Sequence, residues 1–290
     1  MAVMAVSMTG CGNNSSVSEN TSTGSNAKSV ISGSAETAEK TVKADTSSSE
    51  NKDSADIKQL SNNTQETTFT ERDLEQIADT SEAQNITVAD NKTIDITDEG
   101  VYTISGSAEN CTIRINAEDS AKVQLVLDGV NIDNENFPAI YVLSADKVFI
   151  TTTDTDNTLT VSGQFTADGE NNTDAVIYSK DDIVLNGTGT LNVSSYYSNG
   201  ITCKDDMKIT GGTYNIKAAF DAFEANDTIS IYDGIFNVTT NKDGFHCEND
   251  EAEGTITISG GSASRTLYDF IKTPILRHIQ MPNLISMSSL

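Results

Sequence analysis

The sequence predicts an all-β chain, a right-handed, single-stranded parallel β-helix of about 22–25 residues per coil, preceded by a disordered tether. Three observations carry this. Asp174-Ala175-Val176, Asn199-Gly200-Ile201, Asp221-Ala222-Phe223 and Asp243-Gly244-Phe245 recur at steps of 25, 22 and 22 residues. The apolar runs after each recurrence keep the same residue type at the same place. The N-terminal fifth is composed quite differently from the rest.

In chain order, residues 1–10 form a short, mostly apolar run that ends at Met8-Thr9-Gly10-Cys11 and resembles a bacterial lipobox. The run is too short to span a bilayer and has no Lys or Arg ahead of it. The expectation is a truncated lipoprotein signal, lipidation at Cys11, and a chain displayed on the extracellular face of the membrane or secreted. From Cys11 to Thr68 about half the residues are Ser, Thr or Asn and none is aromatic. Such a segment buries too little apolar surface to offset chain entropy, so a tether is expected over 11–68. Order is expected to begin at Phe69, where Thr70 caps a short helix with Asp73 at its third position.

From Ile86 to Ser262 short β-branched runs follow one another between Gly, Asp and Asn, with no helical period. Ile183-Val184-Leu185, Met207-Lys208-Ile209, Ile229-Ser230-Ile231 and Ile256-Thr257-Ile258 are one set of equivalent strands. Leu191-Asn192-Val193, Tyr214-Asn215-Ile216 and Phe236-Asn237-Val238 are a second, and Ile201–Cys203, Phe223–Ala225 and Phe245–Cys247 a third. Three strands per repeat make a coil that bonds to its neighbours around one shared interior, with roughly seven or eight coils in the 69–262 domain. Residues 263–290 hold two of the three prolines and only one acid, so the winding is expected to stop near Ser262. A truncated or frame-shifted tail there leaves an open sheet end prone to association.

Cys203 and Cys247 share a register two coils apart, ~9.6 Å at the usual strand spacing, too far for a disulfide. They read as small buried hydrophobes. The net charge of −25 argues against nucleic acid, whose phosphates need Lys and Arg. No specific protein partner is indicated, and contact with a membrane is expected only through the lipid on Cys11.

The corner column Asp174, Asn199, Asp221 and Asp243 is the first candidate for chemistry. Carboxylates stacked ~4.8 Å apart repel, and Ca²⁺, which accepts six to eight oxygens, is a suitable neutraliser. Glu224 and His246 lie three residues on and face outward by alternation, so Glu224 can add oxygens. Asp and Asn before Gly also form turns unaided. A second column at the next corner makes Asp205 and Asp227 lesser metal candidates, with turn chemistry the stronger explanation. For sugar contact the outward Tyr196, Tyr197, Tyr141 and Tyr232 offer ring faces. Asn192, Asn215 and Asn237 offer an amide ladder, which can also serve only the stack. His246 and His278 look isolated, and no zinc, Walker or Ser-His-Asp spacing is present.

The stretch Thr97-Asp98-Glu99-Gly100-Val101-Tyr102-Thr103-Ile104-Ser105-Gly106 resembles the opening block of a family of bacterial carbohydrate-binding parallel β-helix proteins. Val123–Val130 followed by Ala139–Val142, then Asn157-Thr158-Leu159 and the Phe69-x-x-Arg-Asp-Leu entry, are similar to its other blocks in the same order. The resemblance implies a pectate-lyase-like fold, bound calcium, and binding of plant cell-wall polysaccharide such as polygalacturonate or cellulose, without catalysis. Calcium then bridges an acidic protein to an acidic sugar chain. Two alternatives stay open: a polysaccharide lyase on the same fold, and a structural or adhesive β-helix with no sugar ligand. The lyase needs a strong base, and residues 86–262 hold one Arg, Arg114.

Overall fold

A computed structural model of the chain describes residues 68–249, 254–266, 271–272 and 275–279, all within the unit 52–290. Cys11 and the expected tether through residue 67 lie outside the described residues.

Strands are numbered along the chain and fall into three parallel stacks. Stack one holds β1 (Gln84–Thr87), the first halves of β3 (Gly100–Glu109) and β5 (Lys122–Asn134), then β7 (Lys147–Thr152), β10 (Asp182–Gly187), β13 (Met207–Ile209), β16 (Thr228–Ile231), β19 (Thr255–Ile258) and β22 (Ile275–Ile279). Stack two holds the second halves of β3 and β5, then β8 (Asp156–Val161), β11 (Thr190–Ser195), β14 (Thr213–Ala218), β17 (Ile235–Thr240) and β20 (Ser262–Thr266). Stack three holds β2 (Thr93–Ile96), β4 (Thr112–Asn116), β6 (Ile140–Ser144), β9 (Ala175–Ser179), β12 (Asn199–Cys203), β15 (Phe223–Ala225), β18 (Phe245–Cys247) and β21 (Ile271–Lys272). The eight strands of stack three are joined by seven windings, so the chain is a parallel β-solenoid. In the early coils β3 and β5 run unbroken through a corner, which Gly106 and Gly129 turn at φ 94° and 73°. Those are left-handed values that a side chain resists.

Equivalent residues stack because each ladder is in register. Ile183, Met207, Ile229 and Ile256 align in stack one. Leu191, Tyr214 and Phe236 align in stack two, and Ile201, Phe223 and Phe245 in stack three. All of them are buried. The rings of Phe223 and Phe245 stack at 4.8 Å and those of Tyr214 and Phe236 at 5.6 Å, while Phe223 meets Phe236 edge-on at 5.8 Å. Both geometries suit the ring quadrupole. Cys111, Cys203 and Cys247 are free and buried, and burial pushes the Cys247 thiol up to about 11.

Helix α1 (Glu71–Leu74) is closed by a capping box between Thr70 and Asp73. The chain around it lies across the outer face of stack one. Arg72 covers the Phe149 ring at 4.5 Å, and Gln76 accepts from the Gly187 N–H at 3.0 Å and donates to the Thr210 carbonyl at 3.1 Å. This cover explains why β7 and β10 are apolar or buried on both faces rather than alternating.

The winding does not stop near Ser262. β20 pairs with β17, β21 with β18 and β22 with β19. The change in composition misleads there because ladder bonds join backbone groups, which every residue but proline can supply.

Candidate functional site

The corner between stacks two and three is where the coils differ most. In one coil the chain inserts residues 162–174 between β8 and β9, while the next coils turn through 196–198, 219–222 and 241–244. The long loop is pinned from below. The Thr166 N–H donates to the Asn136 carbonyl at 2.9 Å, and Tyr141 Oη donates to Asp168 Oδ2 at 3.0 Å. Beside it opens a cleft of about 490 Å³. Gln164, Phe165, Asn172 and Asp174 from the long loop form one side; Tyr197, Ser198, Asn199, Phe220, Glu224 and Lys242 from the following coils complete it.

The cleft thus brings together Asp174, Asn199, Glu224 and Tyr197 from the sequence candidates. Sequence reading missed Phe165, Phe220 and Lys242. Phe220 and Lys242 occupy equivalent corner positions in successive coils, so the Lys242 ammonium sits 4.5 Å above the Phe220 ring. Repeat alignment of the corner, rather than of its first residue alone, is the signal that would have found them.

Asn199, Asp221 and Asp243 follow one another in register, but Asp174 falls outside the expected column: the ladder pairs Asn199 with Ala175 and Ile201 with Ile177, one residue beyond the partners that the repeat spacing suggests. The side chains that do align do not simply face one another. Asn199 Oδ1 accepts the Asp221 N–H at 3.0 Å, and Asp221 Oδ1 accepts the Asp243 N–H at 2.8 Å. Each side chain therefore fastens its coil to the backbone of the next, which offsets the carboxylate repulsion without an ion. Asp221 keeps Oδ2 for His246 Nδ1 at 3.2 Å and, more distantly, Lys242 Nζ at 3.9 Å. Burial raises the Asp221 carboxyl, but these donors and the Asp243 N–H outweigh it and hold the group below the usual range. His246 is not isolated. Its hydrogen bond to Asp221, against the effect of burial, raises its affinity for a proton, and Nε2 meets Glu248 Oε2 at 3.1 Å.

Glu224 accepts from Lys204 Nζ at 3.0 Å and from Asn199 Nδ2 at 2.7 Å. Burial works against the charge on Lys204, but Glu224 and Asp174 more than compensate and keep it an ammonium. Asp174 is held differently. Its Oδ2 accepts from Asn172 Nδ2 at 2.9 Å, while its Oδ1 is buried with no hydrogen-bond partner, and burial raises its carboxyl.

Asp205 and Asp227 lie at the other corner, outside the cleft. Burial, then Asp182, Asp206 and Asp227, push Asp205 up to about 6. The Asp227 carboxylate accepts from the Asn249 amide. A carboxyl raised on folding stabilises the fold while protonated, and that contribution is lost as pH rises through about 6. Asp205→Asn should therefore raise stability at pH 7 by about 1 kcal/mol, after discounting for partial exposure, and flatten the fall in stability between pH 4 and 7. Urea titrations at the two pH values measure both effects.

The amides Asn192, Asn215 and Asn237 form a continuous ladder in which Asn215 Nδ2 donates to Asn192 Oδ1, and Asn237 Nδ2 to Asn215 Oδ1, each at 2.8 Å. Their acceptors are occupied within the stack, and none of the three lines the cleft. Tyr196 is 65% exposed and stands beside Tyr197 on the same short turn, so both rings are open to a ligand. Tyr141 is not an exposed platform. It points away from the interior, as alternation requires, but the inserted loop buries it against Phe137, Ala175 and Tyr178. Tyr232 packs edge-on against Phe69.

A family model described as a carbohydrate-binding domain-containing protein matches residues 90–267. A relative from Acetivibrio thermocellus with the same description is 41% identical over 128 residues, 43% of this chain and 45% of its own length, so the match spans less than half of that relative. The solved structure of a polysaccharide lyase-like protein from C. thermocellum, a gadolinium derivative, is similar with a TM-score of 0.59 and 34% identity, over 62% of this chain and 81% of that one.

Proposed function

The chain belongs to the family of carbohydrate-binding domain-containing proteins, and from that premise we propose that the cleft beside the 162–174 loop grips a polysaccharide chain with calcium as a bridge. The observation that carries this is the composition of the cleft. Tyr197 and Phe220, 49% and 43% exposed, offer ring faces to the C–H face of a sugar. Asn199, Asn172, Gln164 and Lys242 beside them offer hydrogen-bonding groups to its hydroxyls.

The donors present suit a hard cation. Asp174 supplies a buried oxygen that nothing in the protein satisfies, and Glu224 lies in the same cleft. Asp174 and Glu224 would hold calcium, with Asn199 contributing an amide oxygen only by giving up its bond to the next coil. Asp221 and Asp243 belong to the coil-to-coil fastening first and to an ion second. Calcium bound there supplies positive charge that a uronate carboxylate can share. An acidic chain of the polygalacturonate type fits the bridge best; cellulose would use the rings alone. The same reading keeps the module outside the cell, on a lipid carried by Cys11.

A binding role is favoured over lyase chemistry by the state of the basic groups. Arg114 is paired with Asp95 at 2.6 Å, and Lys204 is held charged by Glu224, so neither is poised to take a proton. Affinity electrophoresis in gels containing polygalacturonate or cellulose tests the proposal. Retardation by polygalacturonate should weaken about tenfold in Tyr197→Ala/Phe220→Ala and also on adding a chelator. Retardation indifferent to chelator removes calcium from the reading, retardation indifferent to the double substitution moves the site elsewhere, and unsaturated product would establish the lyase.

A further inference from the structure

We propose that Asp221, Glu224 and His246 form a site for a transition-metal dication of the zinc class, chemically distinct from a calcium bridge. One ligand atom from each lies within 4.8 Å of the others. The fold delivers them from two successive coils. Glu224 on β15 and His246 on β18 are register partners on the outward face, and Asp221 lies in the 219–222 turn that leads into β15.

The histidine decides the class of ion. An imidazole nitrogen is a poor ligand for calcium and a good one for zinc, cobalt or nickel. The ring is also oriented as a ligand requires. Nδ1 faces Asp221 Oδ2 at 3.2 Å, while Nε2 is held by Glu248 Oε2 at 3.1 Å. A carboxylate on the far nitrogen of a histidine fixes the tautomer that leaves the near nitrogen's lone pair free for a metal. His246 Nδ1 and Asp221 Oδ2 already face one another at hydrogen-bond distance, so a dication would take the place between them.

Closing the site takes modest movement. Zinc–ligand distances of about 2.0–2.2 Å draw the donors inward, and Glu224 must exchange its bond to Lys204 or to Asn199 for the metal. Lys242, 3.9 Å from Asp221, must withdraw. Glu224 also lines the cleft, so the site borders that space.

Cobalt(II) and zinc added to the full chain, with no polysaccharide and no calcium, test this. One cobalt ion per chain should give the visible band of a low-coordinate nitrogen–oxygen site, and zinc should abolish it. Calorimetry should show zinc binding weakened at least about tenfold in His246→Gln and, through loss of the far-side carboxylate, in Glu248→Gln. Should His246→Gln fail to fold by circular dichroism, Glu248→Gln and the wild-type cobalt spectrum decide. Absence of the band, or zinc binding equal in wild type and the folded variants, overturns the proposal. Loss of zinc binding leaves the calcium reading untouched, because that reading is scored by whether calcium, and not zinc, restores retardation in polysaccharide gels after chelation.

Discussion

Phe223→Ala should destabilise the solenoid by about 4 kcal/mol, the upper part of the range for deleting a buried ring. The side chain has no exposed surface and meets three other rings: Phe245 stacked at 4.8 Å, Phe236 at 5.8 Å and Tyr214 at 6.0 Å. Its neighbours in the ladder are fixed by strand pairing on both sides, so the hole cannot collapse. The loss combines transfer free energy with an unfilled cavity. Phe223→Leu should cost much less, about 1–1.5 kcal/mol, because most of the volume is kept. Urea unfolding followed by circular dichroism measures both, and the midpoint should fall without a change in slope. A loss under 1.5 kcal/mol for the alanine variant would mean that the rings are not packed as described. The effect should reach the site as well. Phe223 lies between Asp221 and Glu224, so loosening it loosens the carboxylates of that turn.

The second large effect is expected at Asp73. Its carboxylate is 1% exposed and lies 3.1 Å from Lys208 Nζ and 3.9 Å from Lys147 Nζ, while its Oδ2 accepts the Thr70 N–H at 2.9 Å. Burial alone would raise its pKa, but the Thr70 N–H and the two ammonium groups prevail and lower it. Asp73→Ala removes one half of the capping box, the acceptor of the Thr70 N–H, and leaves Lys208 partly buried beside the Phe69 ring without the Asp73 carboxylate. A cost of about 3 kcal/mol is expected, within the usual range for breaking a buried pair. Lys147 limits the damage because it also meets Asp182 at 3.5 Å. The loss should be local. Hydrogen exchange should quicken over residues 68–76 and the outer face of β10 and β13, with little change in stack three. The sign with pH follows from the lowered pKa. The contribution is complete above the unfolded carboxylate value near 3.8 and disappears as pH falls through the folded one. The variant should thus differ from wild type at pH 7 and approach it in acid. Equal exchange in both proteins at pH 7 would remove Asp73 from its assigned role.

How much of this was legible in the sequence depends on where the coils are regular. From Ile183 onward one apolar type per position is kept, so the strands of all three stacks could be paired by eye, down to the alignment of Tyr214 with Phe236, whereas β9 pairs one residue away from the register that the repeat suggests. The early coils hid their corner because β3 and β5 run through it as unbroken strands, turned at Gly106 and Gly129. The cleft was half legible. Asp174 and Asn199 start their repeats and Glu224 lies three residues into one, so periodicity found them, whereas Gln164 and Asn172 sit in the inserted loop that no other coil repeats. Its rings and Lys242 sit in turns, where adjacent coils differ in length and no pattern predicts proximity. Tyr141 shows the limit of alternation, which gives the direction of a side chain but not what a distant loop lays over it. His246 shows the same limit for charge, since its partners Asp221 and Glu248 are 25 and 2 residues away, and only the coil brings both to one ring.

The 22-residue spacing of the later windings has a consequence for how such a molecule can vary. Strands β14 and β17, and β15 and β18, pair residue for residue with no slip. A segment such as 221–242 is accordingly an interchangeable tile. Duplicating it lengthens the rod by about 4.8 Å and adds one rung of acid and ring without disturbing either flank. Deleting a single residue from the middle of one of its strands throws the rest of that strand onto the wrong face. Lineages carrying this architecture can therefore change reach in whole tiles far more readily than they can trim a strand.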